Sequence, residues 1–189
     1  MIAALVAVVS LLLGSWLHVA AMALAHLVVG HTPETVAFGL GPPVLERAVG
    51  RTKVRLGALP LGGFVAMPQS SEGVPDPLPP FPRAVVALLG PVSVLVVAIA
   101  FGASPAHFDR AIEQLVVGAL SPSEVGAPLV RAWIDRTAGA PLEAGVALAV
   151  RLALFNLLPI PSLNGFDVLE GLALATWRRP GWRGRRSSR

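Results

Sequence analysis

Apolar positions fall in long blocks separated by short polar stretches. From Ile2 to Val29 there is no Asp, Glu, Lys or Arg. About 20 apolar residues cross the hydrocarbon core of a bilayer, so this block predicts a first transmembrane helix over residues 2–29. A cleaved signal peptide would carry a positive leading region and an apolar stretch about half as long. A second uncharged block, Ala84 to Ala103, predicts a second span over 84–103. A third predicts a span over 141–160; it holds Glu143 near its start and Arg151 in its middle. A guanidinium in hydrocarbon needs a partner or water, and Glu143 and Asp167 are the carboxylates expected to supply one. Phe166 to Trp177 is apolar but short, and it contains Asp167 and Glu170; it reads as an interfacial helix.

Between the first two blocks the period changes. Thr35, Val36 and Phe38 are β-formers, and Gly39-Leu-Gly-Pro-Pro43 breaks the run. Arg51 to Leu56 then alternates polar and apolar, the mark of a half-exposed strand. The expectation is a small β-region over 32–67, with turns at Gly50 and Gly57, at the inner membrane face. Residues 68–82 are proline-rich and read as a linker. Residues 105–139 predict two short amphipathic helices outside the membrane, separated at Ser121-Pro-Ser-Glu124. The predicted fold class is therefore a mainly α membrane protein. It has about three transmembrane helices plus a short interfacial helix, and a small β-region between the first two spans. Residues 1–177 form one membrane domain, and 178–189 a basic tail.

Composition supports lipid as the solvent. Apolar residues make up 54% and charged residues only 14%, against about 25% charged in soluble domains. The absence of cysteine excludes disulfides and thiolate metal sites. Net charge is +4 and the isoelectric point about 11.2, but six of the 15 Lys and Arg lie between Arg178 and Arg189. A basic cap after an apolar segment is a topology signal. No nucleic-acid recognition motif accompanies it, so no nucleic-acid partner is expected. The first loop carries Arg47, Arg51, Lys53, Arg55 and Arg83, whereas the second carries Arg110, Arg131 and Arg136 offset by four carboxylates. This places the N-terminus outside and the C-terminus in the cytoplasm, in a plasma (inner) membrane.

Chemistry-bearing residues within the apolar blocks are few. His18, Met22 and His26 recur every four residues and share one broad helix face. His18 and His26 lie ~12 Å apart along the axis at about 1.5 Å per residue, too far to share one zinc ion. His18 with Met22 is a donor pair for a soft ion such as copper(I). Asp167 falls three residues after Asn164, placed either to supply a carboxylate ligand or to cap a helix and neutralise an arginine.

Two stretches carry a family resemblance: Arg55-Leu-Gly-Ala-Leu-Pro-Leu-Gly-Gly-Phe-Val-Ala-Met67 and Asn156-Leu-Leu-Pro-Ile-Pro-Ser-Leu-Asn-Gly165. With Phe38-Gly-Leu-Gly-Pro42 and the Arg83 to Gly90-Pro91 segment, in this order, they resemble the site-2 protease family of zinc intramembrane metalloproteases. The likeness spans roughly residues 14–177. It implies a zinc site built from His-Glu-x-x-His on the first helix and a distant Asp, with the Glu as general base. Here the first motif reads His18-Val-Ala-Ala-Met22, the Asp position is Asn164, and Gly-Pro-x-x-Asn reads Gly90-Pro-Val-Ser-Val94. By resemblance, His18 is the one retained metal ligand, Met22 and Asn164 occupy the other two ligand positions, and Val19 occupies that of the base. The expected function is a pseudoprotease without catalytic residues or cofactor. Its partners would be the lipid bilayer and membrane proteins or transmembrane segments held as clients. The resemblance also assigns substrate contact to Gly62, Gly63, Asn156, Pro159 and Pro161, where a strand edge and proline-opened backbone can accept an unwound segment. Two alternatives follow from the same residues. One is an active intramembrane zinc metalloprotease with an altered site, Asp167 standing in as ligand. The other is a soft-metal-handling membrane protein using His18 and Met22.

Overall fold

A computed structural model describes residues 2–68, 78–120, 139–161 and 163–177, together with residues 128, 131, 132 and 135. Among these are five helices and two long strands: α1 Ile2–Val28, β1 Thr35–Val49, β2 Thr52–Ala66, α2 Pro80–Ala100, α3 Pro105–Leu120, α4 Pro141–Asn156 and α5 Asn164–Trp177. The core of the expected linker, most of the second amphipathic helix with its Ser121–Glu124 turn, and the basic tail fall outside the described residues.

Among the described residues two helices are long and apolar enough to cross a bilayer, the Val8–Val28 part of α1 and α2. Helix α2 begins at Pro80, four residues before the apolar block. Proline is tolerated in the first helical turn, where the N–H has no intrahelical partner. The third block does not give a helix of spanning length. α4 has 16 residues and stops at Asn156, short of the ~20 needed, because Pro159 disfavours helical backbone at the residue before it. α5 has 14 residues, matching the short helix expected there.

The two strands form an antiparallel hairpin, turning at Gly50 and Arg51 between the paired Val49 and Thr52. Both strands bend at their glycines, so Thr35–Phe38 lies between two parts of β2. It faces Lys53–Leu56 on one side and Gly63–Ala66 on the other. Gly39 makes that bend possible. Its φ is +86°, and a Cβ there would run into the Leu59 carbonyl. The sheet sits on α1, where Trp16 meets Phe38 edge-on at 6.0 Å between ring centroids. Val19, Val36 and Ala37 are buried.

α2 packs on both α1 and α5. At its start Arg83 pairs with Asp167 at 2.7 Å and Glu170 at 2.8 Å, both on α5. α3 lies along α4, with Ala111 buried against Ala98 and Val150. Arg151 finds its partners there and not at Glu143 or Asp167 as expected. Its Nε and Nη2 donate to Gln114 Oε1 on α3, and its Nη1 to the Ala147 carbonyl. Asp167 is engaged by Arg83, which fulfils the arginine-neutralising role read from the sequence.

Gly39→Ala would force an L side chain into left-handed backbone against a carbonyl. A loss of about 2 kcal/mol or more is expected, read as a lower unfolding temperature of the detergent-purified protein.

Candidate functional site

His18 and Asn164 are 146 positions apart and meet in the interior, 8% and 9% exposed. α1 presents His18 and, one turn on, Met22; Asn164 opens α5; α2 flanks both with Ala87 and Gly90. His18 Nε2 lies 3.2 Å from Asn164 Oδ1. Asn164 Nδ2 donates to the Ala87 carbonyl at 2.8 Å and to Met22 Sδ at 3.2 Å. A carbonyl only accepts, so the amide nitrogen must face Ala87, which turns Oδ1 toward His18. His18 Nε2 therefore carries the proton and donates. Its Nδ1 is buried and has no partner among the described residues. The approach of α2 depends on Gly90, where a Cβ would sit 2.8 Å from His18 Nε2 and 3.0 Å from Met22 Cγ.

Val19 is 3% exposed. A Cβ on Gly63 would come 2.9 Å from Val19 Cγ2 and would strike the Ala37 carbonyl, so Val19 packs directly on the β2 backbone. Gly62 and Gly63 have φ of +68° and +150°, and the close approach of Gly63 is to the chain's own α1 and β1. A cleft of about 280 Å³ opens beside this point, lined by Ser15, His18, Val19, Met22, Gly62 to Val65, Leu152, Asn156, Asn164 and Asp167. The edge strand Gly63–Ala66 forms one wall. Asn156 Nδ2 donates to its own helix at the Leu152 carbonyl, 2.8 Å away. Pro159 and Pro161 are exposed; they end α4 and lie outside the cleft lining. Asp167 lines the cleft with its carboxylate committed to Arg83. His26 is buried two turns from His18 and does not join the cluster.

These residues do not fit a zinc ion. Zinc binds lone pairs of deprotonated groups. Here the imidazole spends Nε2 as a donor, the amide is neutral and aims N–H groups at its neighbours, and the thioether is a soft donor. Among the described residues no three His, Cys, Asp or Glu side chains are grouped so as to hold a metal ion. The site can bind and orient through hydrogen bonds, and it offers no carboxylate placed to move a proton at position 19.

Gly90 falls in the motif quoted from the sequence, but the Ala87 carbonyl is a part of the site that the sequence reading does not name. The available signal was Pro91, which stands four residues after Ala87. In a comparison with protein families, residues 3–185 match the family model described as peptidase family M50.

Restoring a carboxylate at the base position alone is expected to harm the fold and bring no activity. Val19→Glu would bury an unpaired charge against the Gly63 backbone. A loss of about 3 kcal/mol or more is expected, read by thermal unfolding, with no zinc uptake by elemental analysis.

Proposed function

The chain belongs to peptidase family M50, the site-2 protease family, and on that premise we propose that it is a membrane-embedded pseudoprotease. It holds transmembrane or membrane-proximal segments of other proteins without cutting them. The observation that carries this reading is Val19. The position that supplies the general base in the resembled motif is a buried aliphatic side chain packed on Gly63. General-base catalysis typically contributes ~10² to 10⁴-fold, and no neighbouring carboxylate takes over, since Asp167 is paired with Arg83. With a donor set unsuited to zinc, the activated water and carbonyl polarisation of the family reaction have no source here.

Client binding is supported by the wall of the cleft. Gly63–Ala66 pairs with Thr35–Phe38 on one side only, so its other edge can accept an extended segment by strand addition. The Ala66 carbonyl faces inward, accepting from Glu34 N–H at 2.9 Å. Backbone groups alternate along a strand, which turns those of Val65 outward into the cleft. Phe64, 44% exposed, offers an apolar contact beside them. In this reading the helices lie in the plasma membrane with the N-terminus outside, and the hairpin and basic tail face the cytoplasm.

The test is a synthetic apolar peptide of spanning length, interrupted by Gly-Pro so that it unwinds locally, reconstituted with the protein in liposomes with added zinc. Saturable binding with the peptide intact by mass spectrometry is expected. Val65→Pro should weaken binding roughly tenfold, the worth of about one hydrogen bond. Peptide fragments that accumulate with time would sink the proposal.

A further inference from the structure

We infer that the Asn164 side chain has taken over, as a hydrogen-bonded pin, the cross-linking task that a metal ion would perform between α1 and α5, and extends it to α2. The inference stands on the geometry of the three helices and does not depend on the client-holding reading.

The starting point is Pro91, inside α2. Proline has no N–H, so the carbonyl four residues earlier loses its helical donor. That carbonyl belongs to Ala87, which is 3% exposed. A buried carbonyl without a donor is costly, and native structures supply one from elsewhere. Asn164 Nδ2 supplies it at 2.8 Å. The same amide accepts from His18 Nε2 and gives its second N–H to Met22 Sδ. One side chain on α5 thus engages a side-chain pair on α1 and the opened backbone of α2, with both amide hydrogens and the amide oxygen in use.

The opened backbone also selects the residue type. An aspartate at position 164 has no hydrogen to give the Ala87 carbonyl, and it would set carboxylate lone pairs against a carbonyl oxygen and a thioether. Asparagine is therefore matched to Pro91 and is more than a ligand position that has lost its charge. A metal-organised site would show the reverse preference, because the carboxylate is the better zinc ligand.

The experiment measures unfolding temperature of the detergent-purified full chain, with added zinc or with EDTA. The unaltered protein is expected to unfold at the same temperature in both. Asn164→Asp should lower that temperature by roughly 5 °C or more in both conditions. Pro91→Ala returns an N–H to the Ala87 carbonyl from within the helix, so Asn164→Asp should cost less than half as much in the Pro91→Ala background. An equal cost in the two backgrounds would overturn the inference, since a merely packed side chain would not sense Pro91. A zinc-dependent rise in the unaltered protein would overturn it as well, and that arm decides even if Asn164→Asp does not fold.

Discussion

A proline inside a buried helix leaves one carbonyl oxygen facing inward with no hydrogen to accept, and much of this molecule is arranged around that oxygen. Asn164 reaches it from α5, which brings the start of α5 against α2 and places Arg83 within reach of Asp167 and Glu170. The same amide draws on His18 and Met22, which fixes α1 against Gly90. With α1 so placed, Val19 lies on Gly63, and the β2 edge becomes the wall of a cleft.

The scaffold of the family is present, and valine stands at position 19, where the resembled motif has its base. The hairpin, its glycine bends and the Leu-Pro-Leu-Gly-Gly stretch build a strand edge beside His18. These features shape a place for an extended chain. Hydrolysis needs groups of another kind, ones that give and take protons or polarise a carbonyl, and at positions 19, 22 and 164 the chain carries an aliphatic side chain, a thioether and a neutral amide.

Much of the fold was legible because its causes are local. The charge-free block predicted α1, alternation from Arg51 to Leu56 predicted part of β2, and the apolar block from Ala84 predicted α2, whose first turn reaches back into the expected linker. In the third apolar block hydropathy continues to Ile160, but backbone sterics at Pro159 end the helix at Asn156. Arg151 was recognised as a residue in need of a partner, yet the partner, Gln114, lies on a helix whose packing against α4 no periodicity announces. The meeting of His18, Met22 and Asn164 was readable only through likeness to a known motif, since 142 to 146 positions separate them. The pin itself needed coordinates. Pro91 signalled that a carbonyl would be freed; which side chain would answer it depends on how three helices cross.

The fit of Val19 against Gly63, taken with the bond from Asn164 to Ala87, bears on descent as well as on chemistry. On the pseudoprotease reading, proteolysis by the family's means would need a base at 19, an imidazole at 22 and a carboxylate at 164. Taken one at a time, the first buries a lone charge and the last strips a buried carbonyl of its donor. The remaining change brings a second imidazole beside His18 with neither the base nor the carboxylate in place. The changes at 19 and 164 each cost stability before any activity appears. On that reading, the packing of the site therefore resists regaining the family's residues one change at a time, because the first cost falls on folding stability.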